Sequence, residues 1–233
     1  MNNETIGISA EKALCDLFGI EESISESRVD YNIVEKMYDS NIMEILNEED
    51  ILIVKHIGGD NDSIDFICNN NKSLSLKTLK KNDGKICPQK GQPTYKSFHK
   101  YNPDCPIPNE ICSREESNKI RWNWIKSNIG DYLNKMQEQT FCCYYLLLIR
   151  NCENNPRAEL LRNKYLNFND IIIEYTNESY QELPHPRKIG ELTEFSCTIK
   201  GIIDGEKKSI GEFQFHYKSR TSVKFRFYNS VFS

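Results

Sequence analysis

The chain lacks the features that would place it in a membrane, a secretory pathway or a nucleotide-cofactor fold. No apolar run in its 233 residues approaches the ~20 that a membrane-spanning helix needs. Met1 to Gly7 is polar and has no apolar signal-peptide core, so a soluble cytoplasmic protein without a membrane partner is expected. Neither a G-x-G-x-x-G nor a P-loop pattern occurs, which removes the usual phosphate cradles of nucleotide enzymes. Internal repeats are absent as well. Among nine cysteines there are none of the close pairs that make zinc knuckles; Cys87, His99, Cys105 and Cys112 share one irregular stretch at wide spacing. An odd count without an export signal reads as reduced thiols, and Cys142 and Cys143, in the most apolar run, read as core residues.

Positive charge is also in short supply, with 30 Lys and Arg against 34 Asp and Glu, a net charge of -4 and a pI near 5.7. The two signs are segregated, however. Residues 1–65 carry 16 acids and 4 basic residues, a balance of -12. Residues 72–100 carry eight lysines against Asp83, a balance of +7. A smaller basic block runs from Lys207 to Arg226, accompanied by Glu206 and Glu212. Local potential and counterion release govern polyanion binding, so an acidic chain arranged this way can still present a focused positive surface. The plainer alternative is that the lysines form ordinary solvated faces.

Hydrophobic content of 38% suffices for a sizeable core, and one domain over 1–233 is expected. Apolar residues at helical spacing predict helices over Glu4 to Phe18 and Tyr31 to Leu46. Short strands follow at Ile51 to Lys55, Ser63 to Cys68 and Ser73 to Thr78, the last two joined by the turn Asn69-Asn70-Asn71-Lys72. Lys80 to Gln92 reads as a basic loop with a short strand at Lys85 to Cys87, and Pro93 opens a helix through Tyr101. Ser113 caps one long helix carrying Ile120 to Met136, and Phe141 to Ile149 has the pattern of a strand buried on both faces. Further strands are expected at Ile171 to Tyr175, Glu194 to Ile203, Ser209 to Lys218 and Ser222 to Tyr228. The class is α/β or α+β: a mixed sheet flanked by helices, with a helical N-terminus, hairpin and basic loop in 1–150 and a strand-rich region in 151–233.

The segment Ser63 to Thr78 carries the chemistry. Alternation on paired strands puts Ser75 and Lys77 on one face and Leu74 and Leu76 on the other, with Asp65 able to meet the former across the ladder. A carboxylate beside an ammonium suits metal-assisted phosphodiester hydrolysis: Asp65 offers a hard oxygen ligand to Mg²⁺, and Lys77 can orient or help deprotonate a water. An exposed strand ion pair is the simpler reading of the same two residues.

Here the chain resembles the PD-(D/E)XK nuclease superfamily, whose motif is an acid, a variable turn, then an acid one residue before a lysine. Asp65 stands for the first acid and Lys77 for the lysine. Ile64 replaces the motif's proline, and Ser75 occupies the second acidic slot, removing a metal ligand. Glu11, in Gly7-Ile8-Ser9-Ala10-Glu11, resembles the glutamate that many such nucleases carry on their first helix and would compensate. Leu74 to Thr78, then Gly84-Lys85-Ile86-Cys87-Pro88-Gln89 and Gly91-Gln92-Pro93, are similar to a block of type II restriction endonucleases. So are Ile210-Gly211-Glu212-Phe213-Gln214-Phe215-His216, Arg220 and Lys224-Phe225-Arg226-Phe227.

The resemblance implies a restriction-endonuclease-like fold and a bacterial, Mg²⁺-dependent enzyme. It would cut both strands of duplex DNA at a short sequence, leave 5′-phosphate ends, act as a homodimer and accompany a cognate DNA methyltransferase. Asp65, Ser75, Lys77 and Glu11 would form the catalytic set, with Asp65 and Glu11 on the metal. DNA contacts are expected from Lys80, Lys81, Lys85, Gln89, Lys90 and Gln92 in the basic loop. Gln214, His216, Lys218, Arg220, Lys224 and Arg226 would add contacts from the strand-rich region, where Gln suits adenine, Arg suits guanine and Lys suits phosphate. A structure-selective nuclease such as a junction resolvase, or a non-catalytic DNA-binding protein, is the alternative.

Overall fold

The structure, a computed structural model, describes residues 2–22, 24–59, 64–82, 84–88, 95–107, 112–184, 194–216 and 223–232. Its helices are α1 (Asn3–Phe18), α2 (Tyr31–Tyr38), α3 (Ile42–Glu48), α4 (Tyr95–Tyr101), α5 (Arg114–Ser127) and α6 (Ile129–Thr140). Its strands are β1 (Ile53–His56), β2 (Phe66–Cys68), β3 (Ser73–Thr78), β4 (Lys85–Ile86), β5 (Tyr145–Arg150), β6 (Arg157–Arg162), β7 (Glu174–Tyr175), β8 (Phe195–Ile203), β9 (Glu206–Phe215) and β10 (Val223–Tyr228). The backbone forms two compact units, Met1–Gly84 with Phe141–Lys164 and Phe232–Ser233, and Lys85–Thr140 with Tyr165–Val231. The class is mixed α and β as expected, but the strands form two five-stranded sheets where the sequence suggested one. Among the described residues no helix is long and apolar enough to cross a membrane.

In the first unit the sheet order is β1-β2-β3-β5-β6. The β2–β3 hairpin is antiparallel, with Phe66 opposite Leu74 and Ile67 opposite Ser73. Asn71 takes a positive φ of 59° in its turn, a conformation asparagine tolerates. Next to it β3 runs parallel to β5, from Leu74 opposite Tyr145 to Thr78 opposite Ile149. A strand in that central position is covered on both faces, which explains the uninterrupted apolar run read from the sequence. Helix α1 packs Ile6, Ala10, Ala13 and Leu14 into the same core as Leu74, Leu147 and Ile149. Asn2 caps its start by accepting the Thr5 N–H at 2.7 Å, and Gly19, at φ 62°, ends it.

The helix expected over Tyr31 to Leu46 is broken into α2 and α3. Ser40 Oγ donates to Met37 O at 2.6 Å and accepts the Ile42 N–H at 3.4 Å, so a side chain competes for backbone groups where the helix would have continued. Strand β6, absent from the sequence reading, pairs antiparallel with β5 along its whole length.

The second unit has the sheet order β4-β10-β9-β8-β7, all pairs antiparallel. Strands β8 and β9 join through Asp204-Gly205, both at positive φ, the turn such a dipeptide favours. Ser113 begins α5 with a reciprocal capping box to Glu116, but the single long helix ends at Ser127. Asn128 Nδ2 donates to Trp124 O at 2.9 Å and its backbone leaves helical geometry, so α6 starts afresh. One face of the sheet supplies Phe195, Phe213, Phe215 and Phe225, which pack edge-on or tilted against Trp122 and Tyr132. Gly211 is obligatory there, since a Cβ would come within 2.3 Å of Phe225 Cζ and 2.7 Å of Arg226 O.

Leu147, fully buried on β5 and opposite Leu76, should be sensitive to truncation. Leu147→Ala is expected to cost about 2–5 kcal/mol, read as a lower urea midpoint at unchanged m-value.

Candidate functional site

The site grows from the end of a ladder. Strand β2 begins at Phe66, so the pairing that holds Leu74 does not continue to Leu76. The Leu76 N–H therefore needs another acceptor, and Asp65, the residue immediately before β2, supplies it: Asp65 Oδ2 accepts that N–H at 2.6 Å. The Asp65 backbone is fixed as well. Its N–H donates to Leu74 O at 3.1 Å, and its carbonyl accepts from Ile57 N–H at 2.9 Å and Gly58 N–H at 3.0 Å. Both the main chain and one carboxylate oxygen are thus held by neighbouring backbone.

Ser75 is fully buried and its hydroxyl bonds to Asp65. Ser75, two residues before Lys77 on β3, is thus a buried hydrogen-bonding neighbour of the carboxylate. Lys77 is partly exposed and near enough for its charge to favour ionised Asp65. Burial nevertheless dominates and raises the Asp65 pKa above the usual carboxylate range, assisted by the negative charge of Glu11, while the Leu76 N–H, Lys77 and Ser75 act the other way.

Glu11 projects from α1 into a cleft of about 480 Å³ that it shares with Asp65, His56, Gly58, Arg28 and Glu4. Its Oε2 lies 3.4 Å from Nε2 of His56, whose side chain is only 4% exposed and rests on Phe66 at 5.2 Å between ring centroids. A Cβ at Gly58 would stand 2.9 Å from His56 Nε2 and 3.4 Å from Glu11 Oε2, so glycine leaves the room these groups share. His56 and Gly58 were missed in the sequence. Their only signal was position, between a β-branched run and Asp65, and nothing local ties a strand-end histidine to a glutamate 45 residues earlier.

Among the described residues no three His, Cys, Asp or Glu side chains converge as a ready metal centre. Glu11 and Asp65 form a two-carboxylate set. That set fits Mg²⁺, which keeps several waters and commonly takes one or two carboxylates together with substrate phosphate. The upward pull of Glu11 on the Asp65 pKa is mutual repulsion that a cation would relieve.

The remaining predicted residues are divided between the units. Lys80 and Lys81 follow β3 in the first, where Lys80 pairs with Glu153 at 3.3 Å. In the second unit Lys85 Nζ at 3.0 Å, Arg226 Nη2 at 2.7 Å and Gln214 Nε2 at 3.4 Å all meet Oε2 of Glu212. Burial pushes the Glu212 pKa up, but hydrogen bonds from Lys85 and Arg226 outweigh it and hold the carboxyl below its ordinary value. Three side chains nominated as DNA contacts thus converge on one carboxylate. His216 Nδ1 lies 2.8 Å from Glu194 Oε1, and Lys224 shares the polar face opposite Gln214. Gln89, Lys90, Gln92, Lys218 and Arg220 lie outside the described residues.

No protein-family model matches the chain, and no solved structure matches it. Over 168 residues, 70% of its length, it is 33% identical to the type II restriction enzyme CviAII of Paramecium bursaria Chlorella virus 1. The chain spans about two fifths of that protein, 41%.

A folded-state pKa raised above its unfolded value means that the native state holds the Asp65 proton to higher pH, so stability falls as pH rises through that window. Asp65→Asn, which can still accept the Leu76 N–H, should therefore melt at a higher temperature than wild type at pH 7 to 8. The gain should shrink as pH is lowered toward the ordinary carboxylate range, as followed by thermal melts across pH.

Proposed function

We propose that the protein is a Mg²⁺-dependent endonuclease that hydrolyses phosphodiester bonds of double-stranded DNA at a short specific sequence, in the manner of a type II restriction enzyme. The observation that carries this reading is the Asp65 carboxylate, fixed at the end of the β2–β3 hairpin, facing a cleft with Glu11 and within electrostatic reach of Lys77. The identity to CviAII supports it.

Asp65 and Glu11 would hold the ion, which when bound neutralises phosphate charge and makes a water acidic enough to attack near neutral pH. Asp65 keeps one oxygen on the Leu76 N–H, so its orientation is set before substrate arrives. Ser75 fills the motif's acidic slot as a positioning residue, hydrogen-bonded to the Asp65 carboxylate. Lys77, as an ammonium, would orient the attacking water against the phosphate; attack at phosphorus with departure of the 3′ oxygen leaves 5′-phosphate and 3′-hydroxyl ends. The polar face of β9 and β10 supplies base and phosphate contacts through Gln214, Arg226 and Lys224, with Lys85 from β4. Two copies related by two-fold symmetry would match a palindromic site, and a methyltransferase of the same cytoplasmic system would protect host DNA.

Incubating the protein with Mg²⁺ and long duplex DNA should give discrete fragments. Asp65→Ala should abolish them, and Lys77→Ala should slow their formation about 10²–10⁴-fold. Intact DNA under tight binding would establish a non-catalytic binder instead, and cutting confined to branched DNA would favour a junction resolvase.

A further inference from the structure

The cleft around Asp65 and Glu11 is acidic, which suits a divalent cation and opposes a polyanion. Its described lining carries Glu4, Glu11 and Asp65 against one guanidinium, that of Arg28. This arginine lies within the acidic block of residues 1–65, apart from the lysine-rich segment 72–100. A DNA strand brought to Asp65 must also pass the carboxylates of the lining, and a cation placed among them is the group that lowers that barrier.

Arg28 is mounted so that its backbone is fixed and its guanidinium exchangeable. Its N–H donates to Ser25 O at 2.9 Å and the Val29 N–H donates to Glu26 O at 3.2 Å, closing a tight turn. The Asp30 N–H donates to Ser9 Oγ at 2.8 Å, and Ser9 is fully buried in α1, so the segment is anchored to the helix that also carries Glu11. Asp30 then caps α2 through the Asn32 N–H at 3.0 Å. The Arg28 side chain, in contrast, is 48% exposed, and its Nη2 donates at 2.6 Å to Oε1 of Glu4, whose side chain is 68% exposed. Ion pairs so open to water are held weakly. A guanidinium accepts carboxylate or phosphate oxygens with the same fork of donors, so Glu4 stands where a phosphate would stand. Glu4 also lies in the first turn of α1, where the helix dipole favours a negative charge whether or not Arg28 is paired to it.

We propose that Arg28 is a phosphate-binding residue for the DNA backbone and that Glu4 occupies its guanidinium until a phosphate displaces it. The proposal rests on the nuclease reading and adds to it a backbone anchor and an internal competitor within the same cleft.

Anisotropy of a labelled duplex, with Ca²⁺ in place of Mg²⁺ so that binding is read apart from cleavage, tests it across a salt series. Arg28→Ala should weaken binding about five- to tenfold and reduce the slope of log K against log salt by about one. Arg28→Lys, which keeps the charge but loses the fork, should retain the wild-type slope at an affinity between the two. Glu4→Gln should tighten binding about threefold, and this gain should vanish when Arg28→Ala is also present. A pair that only braces the fold would give the opposite pattern: both single variants melting early, wild-type salt slope in Arg28→Ala, and no tightening in Glu4→Gln. That pattern overturns the proposal while leaving the nuclease reading intact. A wild-type chain that neither binds nor cuts duplex DNA overturns both.

Discussion

A carboxylate drawn most of the way out of water, within reach of a second carboxylate, is the constraint around which the first unit is arranged. Ionised Asp65 is opposed by burial and by Glu11, and what holds it is a set of groups that the fold alone can deliver. The decisive donor is the Leu76 N–H, free only because β2 stops at Phe66 while β3 runs on beside β5. Unpaired strand amides are costly when buried, so the side chain that satisfies one is fixed by the same free energy that completes the sheet. Ser75 and Lys77 follow from their register on β3, and Glu11 from the helix packed over it.

The second unit answers a different electrostatic problem. Lys85, Gln214 and Arg226 come from three adjacent strands and meet at Glu212, whose charge they sustain against burial. A count of lysines and arginines treats each as a free positive charge. On the folded sheet two of them are partly spent on a carboxylate that fixes their direction, which trades some non-specific attraction for orientation. Lys80 with Glu153, and Arg28 with Glu4, repeat the arrangement in the first unit.

Local features were read well where local chemistry decides. The helix over Glu4 to Phe18, the cap at Ser113 and the hairpin turn Asn69 to Lys72 all depend on a few adjacent residues. The errors lie where a side chain or a distant strand competes with periodicity. Ser40 and Asn128 interrupt helices that apolar spacing would have continued, by bonding backbone groups that the helix needs. Strand β6 has a weak alternation of its own and is a strand because β5 offers it an edge. The division of the strands between two sheets follows from pairings far apart in sequence, for which the local pattern holds no signal.

The Asp65 and Lys77 site shows the same boundary at residue level. The sequence by itself determined that Asp65 and Lys77 flank one hairpin, because two short strand-like runs joined by a polar turn bring their outer ends together. Only the tertiary structure decided that Ser75 is buried against Asp65, that Glu11 reaches the cleft, that His56 and Gly58 shape it and that Arg28 lines it. The reason is physical: a hairpin is specified by bonds between near neighbours, whereas a cleft is specified by which helix covers which strand. That choice is made by burial of a shared core, and many sequences can satisfy it without announcing which polar side chains will meet above it.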